Sequence, residues 1–94
     1  MDEPLDSDRA TKLIKRIVRE GQVAWSQHAL DEMKTDDLTA VDCVNVMRGG
    51  VVSEPAEFEH GSWRYRIHTQ RICVVVAFRS EKELLVVTTW RIRR

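Results

Sequence analysis

An α+β fold is expected from this sequence: two to three N-terminal helices packed on one face of a four-stranded antiparallel sheet. Three observations lead there. Apolar residues recur at helical spacing as far as Met47 and at a period of two from Val51 onward. Capping residues and glycines punctuate the first half. Short polar turns separate the apolar runs of the second half, which makes those strands antiparallel neighbours.

Residues 1–6 read as a flexible tail. Ser7 or Asp8 then caps a first helix, along which Leu13, Ile14, Ile17 and Val18 form an apolar stripe that ends at Gly21. Lys12, Lys15, Arg16 and Arg19 fill its other side, the pattern of a solvated helix face. Val23 to Trp25 is a short strand or extended segment. Ser26 caps a second helix with Ala29, Leu30 and Met33 apolar, broken by Asp36-Asp37. Thr39 caps a third, with Val41, Val44, Val46 and Met47 apolar, closed by Gly49-Gly50. Val51 to Glu59 is the first strand of the sheet, and Pro55 assigns it to an edge. His60-Gly61 turns the chain into Trp63 to His68. Arg71 to Arg79 and Leu84 to Ile92 follow. Ile72 to Phe78 is the most apolar run and belongs at the centre.

Alternation sorts these strands into faces. Trp63, Tyr65 and Ile67 point toward the helices, while Arg64, Arg66 and His68 point to an open face. A two-residue loop at Thr69-Gln70 pairs His68 with Arg71 and Arg66 with Cys73. It adds Arg71 to the open face and sends Ile72, Val74, Val76 and Phe78 inward. Burying arginine is costly, so a bulged loop before the last strand is expected to turn Trp90 and Ile92 inward. Thr89 and Arg91 would then lie on the open face.

Formal net charge is zero, with 15 basic and 15 acidic residues, but the distribution is uneven. Residues 1–60 carry 13 acids against 7 bases, net −6; residues 61–94 carry 2 acids against 8 bases, net +6. Such asymmetry suits a polyanion-binding face, or two halves that neutralise one another within the fold. The length fits a single domain, 1–94. The longest apolar run is far too short for a membrane span, so no membrane is expected. An acidic N-terminus without an apolar signal core implies a cytoplasmic protein. There, Cys43 and Cys73 are expected to be free, buried thiols. The three histidines and two cysteines never take ligand spacing on one element, so no metal and no other cofactor is expected.

Two stretches resemble a known family. One is Ser26-Gln27-His28-Ala29-Leu30-Asp31-Glu32-Met33, followed by Leu38-Thr39, Val41-Asp42-Cys43-Val44 and Met47-Arg48-Gly49-Gly50. The other is the closing pair, Ile72-Cys73-Val74-Val75-Val76 and Leu85-Val86-Val87-Thr88-Thr89-Trp90-Arg91. Together they are similar to the small bacterial family called domain of unknown function 4258, which looks related to the RelE/MqsR-like and BrnT-like toxins of type II toxin–antitoxin pairs. The resemblance covers residues 22–92. It implies a RelE-like α+β domain that cleaves mRNA without a metal, free or on the ribosome, and a cognate antitoxin that inhibits it.

Metal-free RNA cleavage needs a base for the ribose 2′-hydroxyl, an acid for the leaving oxygen, and cations around the crowded phosphorus. Arg64 and Arg66 are the candidate catalytic cations, with Arg71 and Arg91 as RNA contacts, because guanidinium forks match phosphate oxygens. His68 beside them is the candidate acid or base. His28, in the first turn of the second helix, is either a catalytic base at an anion-favouring helix start or a side chain that ties helix to backbone. The motif match favours catalysis. Glu54, Glu57 and Glu59 read as solvated charge. The alternative function is a non-catalytic RNA- or protein-binding module using the same basic face. Oligomeric state is left open.

Overall fold

The computed structural model describes residues 1–93. Asp6, rather than Ser7 or Asp8, caps α1 (Ser7–Glu20); its carboxylate accepts the Arg9 N–H at 2.8 Å. Ala10, Leu13, Ile14 and Ile17 are the buried side of this helix. At Gly21 the chain passes tightly under the turn that precedes the last strand. A Cβ there would collide with the Lys82 carbonyl oxygen, which accepts the Gln22 N–H at 2.9 Å and so starts β1 (Gln22–Trp25). Ser26 caps α2 (Gln27–Thr35) through the Ala29 N–H, and Thr39 caps α3 (Ala40–Gly49) in a reciprocal pair with Asp42. Ala29, Met33, Cys43, Val46 and Met47 are buried, whereas Leu30 and Val41 face solvent.

β2 (Val51–Glu59), β3 (Ser62–His68), β4 (Ile72–Ser80) and β5 (Glu83–Arg91) complete the chain. The sheet has five strands in the order β1-β5-β4-β3-β2 and is mixed, with β1 parallel to β5 and every other pair antiparallel. This corrects the expected four-stranded antiparallel sheet. In four strands, the outer edge of β5 would present a row of unpaired backbone groups. The four residues of β1 pair it, but a run that short carries too little alternation to declare itself. β4 is central and β2 lies at an edge, where its proline removes no ladder bond. His60 (φ 50°) and Gly61 (φ 82°) form the two-residue turn between β2 and β3.

Pairing between β3 and β4 is displaced by two residues from the expected register. His68 stands opposite Cys73 and Arg66 opposite Val75, with Gln70-Arg71 at the tip. An even displacement leaves every side chain on its face. Tyr65, Ile67, Val74 and Val76 are therefore fully buried under the helices.

The second half of β5 departs from expectation. An irregularity at Arg79 brings Leu84 and Val86 inward, as a bulged loop should. A second one, at Val87, then reverses the alternation, so that Thr88 stands opposite Val75 and Thr89 opposite Val74. Thr89 and Arg91 consequently lie on the helix side and Trp90 on the open face, the opposite of the expected facing. Neither inward residue is left unsatisfied. The buried Thr89 hydroxyl donates to the Cys73 carbonyl at 2.8 Å. The Arg91 backbone N–H donates to Asp36 Oδ2 at 2.8 Å, and its guanidinium donates to the Asp36 and Asp37 carbonyls at 2.8 and 2.9 Å. Arg91 thus caps the carbonyl end of α2.

Residues 1–6, expected as a flexible tail, are tied to the buried Tyr65. Leu5 N–H donates to the Tyr65 hydroxyl at 3.0 Å, and that hydroxyl donates to the Glu3 carboxylate at 2.8 Å. Burial pushes the Tyr65 phenol up to about 12. Cys43 and Cys73 are free and buried, and burial pushes the Cys73 thiol up to about 11. No described helix is long and apolar enough to cross a membrane.

The hydrogen bond from the Arg91 backbone N–H holds the Asp36 carboxyl below its ordinary value of 3.8 against the opposing effect of desolvation, with the charge of Arg93 adding to it. A carboxyl lowered on folding adds stability above its ordinary value, and loses it as pH falls through the folded one. Asp36→Asn should therefore melt below the parent at neutral pH, and the difference should close below pH 3.8. Arg91→Ala should cost on the order of 1–3 kcal/mol by uncapping α2. Thermal melts from pH 2 to 7 check both.

Candidate functional site

The β2–β3 hairpin builds the site by counting outward from its turn. Glu59 stands opposite Ser62, Phe58 opposite Trp63 and Glu57 opposite Arg64. Glu57 and Glu59 therefore share the open face with Arg64 and Arg66. Glu57 Oε1 lies 2.9 Å from Arg66 Nη2, and Glu59 Oε2 lies 3.9 Å from Arg64 Nη1. These carboxylates are partners of the arginines, not solvated charge. On the far side of the arginine row the Trp90 ring centroid lies 6.0 Å from Arg66 Cζ, within cation–π range.

Glu57, Arg64, Arg66, Val75, Thr88 and Trp90, with Glu59 at the rim, enclose a cleft of about 100 Å³. The Arg64 side chain is only 20% exposed, and its Nε is buried with no hydrogen-bond partner among the described residues. Arg66 and Glu57 are each about half exposed. The cleft thus combines guanidinium donors, a carboxylate acceptor and an aromatic face. Arg66 spends one contact on Glu57 and has further N–H donors. An oxyanion can be bound there beside a group able to accept a proton, with a flat ring for a planar partner.

The residues singled out from sequence are only partly brought together. Arg64 and Arg66 line the cleft. His68 follows on the same face of β3 but lines a separate hollow with Val51, Thr69, Gln70 and Ile92, its Nδ1 3.2 Å from the Thr69 carbonyl oxygen. Arg71 is exposed at the β3–β4 tip, with no ion pair among the described residues. Arg91 is committed to the end of α2. His28 is exposed at the start of α2, beside β5 and two strands away from the arginine pair. Trp90, Thr88 and Glu57 are the additions. Counting from the His60-Gly61 turn places Glu57 beside Arg64, a signal present in the sequence. No comparable signal places Trp90, because its facing depends on the bulge at Val87.

A family model described as domain of unknown function (DUF4258) matches residues 25–91. The match begins at the last residue of β1 and includes α2, α3 and the four antiparallel strands, so the whole cleft falls within it. No curated protein and no solved structure matches the chain.

The two arginines should differ in what they contribute to stability. Arg66→Ala removes a half-exposed ion pair and should change unfolding free energy by no more than about 0.5 kcal/mol. Arg64 is largely buried in the cleft beside Val75, so Arg64→Ala should cost about 1–2 kcal/mol through lost packing of its stem. Urea denaturation of the two single variants measures the contrast, and equal losses would refute it.

Proposed function

The chain belongs to the family described as domain of unknown function (DUF4258), and on that footing we propose that it is the toxin of a bacterial type II toxin–antitoxin pair, a metal-independent mRNA endoribonuclease. One observation carries this reading: Glu57, Arg64, Arg66 and Trp90 converge on a single open cleft. Each corresponds to a requirement of the reaction. Arg64 and Arg66 bind the scissile phosphate and stabilise the charge that builds up on it. Glu57 accepts the 2′-hydroxyl proton as O2′ bonds to phosphorus. The P–O5′ bond breaks, and the departing oxygen takes its proton from His68, two residues along β3 from Arg66. The products are a 2′,3′-cyclic phosphate and a 5′-hydroxyl. Trp90 stacks on an unpaired base beside the scissile bond. His28 and Arg91 take no step.

The compensation of Arg64 and Arg66 by glutamates favours a second reading, a non-catalytic module for RNA or protein. Incubation with single-stranded RNA in excess chelator separates the two. An endoribonuclease leaves fragments ending in a cyclic phosphate, and a binding module leaves the RNA intact. In the first case Glu57→Gln and Arg66→Ala should each slow cleavage by about 10²-fold or more while the protein stays folded. Undiminished cleavage by Glu57→Gln would remove that residue from the mechanism. Induced expression should arrest growth in the parent and not in these variants.

A further inference from the structure

The outer side of α1 holds two adjacent cations that the fold leaves unanswered. Its acids stand at the two ends of the helix: Asp6 faces Arg9 at 3.8 Å, Asp8 faces Lys12 at 3.1 Å, and Glu20 faces Arg19 at 3.2 Å. Between them, Lys15 and Arg16 make no ion pair among the described residues, and neither does Lys82 in the adjoining turn. On the sheet, Arg64, Arg66 and Arg79 each have a glutamate.

This side of the helix is also a groove. A hollow of about 830 Å³ runs along α1 between Lys12, Lys15, Arg16 and Arg19 and the N-terminal residues Met1 and Leu5, with five bases against the two acids Asp2 and Glu81 in its lining. A second, of about 420 Å³, continues past Arg16 and Ile17 to Gly21 and Lys82, where Glu20 and Glu81 also line it. Its first wall stays in place because Glu3 and Leu5 are hydrogen-bonded to the buried Tyr65 hydroxyl. Together the hollows follow the 14-residue helix, a length of roughly 20 Å, enough for about four turns of a second helix alongside.

We propose that this groove docks an acidic, amphipathic helical segment of a partner protein. Apolar side chains of that segment would rest on Met1, Leu5 and Leu13, and its carboxylates would face Lys15, Arg16 and Lys82. No aromatic side chain lines either hollow, so nothing there stacks on bases, and an apolar floor suits a peptide better than a phosphodiester chain. The apolar stripe of α1 itself is spent on the core, which leaves nothing to insert into a lipid surface. The inference is independent of the reading of the open sheet face, which lies on the other side of the sheet.

The test uses the full chain and a fluorescein-labelled peptide with glutamates on one helical face and leucines on the other. Anisotropy should show binding that weakens as salt rises. Lys15→Glu with Arg16→Glu should weaken it at least about tenfold, and Lys15→Gln with Arg16→Gln by a smaller factor. Arg66→Glu should change it by less than about twofold. Circular dichroism confirms that each variant is folded. The proposal fails if the peptide does not bind, or binds equally well to the Lys15/Arg16 variants. It also fails if a uridine oligonucleotide or anionic vesicles bind the groove more tightly than the peptide. Concentration-dependent dimers of the parent that the same double variant abolishes would make a second copy the occupant and overturn it too.

Discussion

The extra residue at Val87 decides what both faces of the sheet can do. Without it, alternation along β5 would carry Trp90 under the helices and leave Arg91 outside. With it, Trp90 stands beside Arg66 and Arg91 reaches the carbonyl end of α2. The bulge sits where the neighbour of β5 changes. Ser26, which ends β1 and caps α2, donates its N–H to Val86 O at 3.0 Å and its hydroxyl to Val87 O at 2.7 Å. Up to that point β5 has a strand beside it; beyond it β5 has the end of a helix, where the Asp36 and Asp37 carbonyls accept from Arg91. Reversing the facing supplies one.

The uneven charge of the sequence is largely resolved by register. Acids of the first half meet bases of the second across two junctions: Glu57 and Glu59 with Arg66 and Arg64, and Asp36 with Arg91 and Arg93. The basic second half is therefore not a bare cationic surface. Among the described residues Lys15 and Arg16 on α1 remain without an ion pair, in the half of the chain whose net charge is negative, as do Arg71 and Lys82 at two turns of the sheet. Net charge by segment thus pointed to the sheet, whereas pairing leaves two adjacent free cations, Lys15 and Arg16, on the helix.

The three helices, their caps at Ser26 and Thr39, the edge position of β2 and the central position of β4 were all legible in the residues. Each depends on local chemistry, such as a hydroxyl before an apolar stripe or a proline in a strand. So was the facing of Arg64 and Arg66, because an even error in register does not invert a strand. β1 was ambiguous because four residues cannot show a period. Trp90 and Arg91 were misplaced because the bulge rests on a contact between Ser26 and Val87, 61 residues apart. Aversion to burying arginine also gave the wrong direction. The cost applies to an unpaired guanidinium, and Arg91 has two carbonyls waiting at the end of α2.

If the open cleft is an RNA site, its glutamates also restrict what it can bind. A phosphate approaching Arg66 must compete with a carboxylate already 2.9 Å away, so charge alone gains little. A duplex keeps its base faces stacked and offers none of them to Trp90. An unpaired base adds stacking on Trp90, worth about 1–3 kcal/mol per base in comparable sites. The carboxylates therefore shift recognition away from general polyanion attraction and toward strands whose bases can leave the stack. The same arrangement keeps a proton acceptor beside the phosphate site. Neutralising the arginines and supplying the base are then two consequences of one hairpin register, set by a two-residue turn.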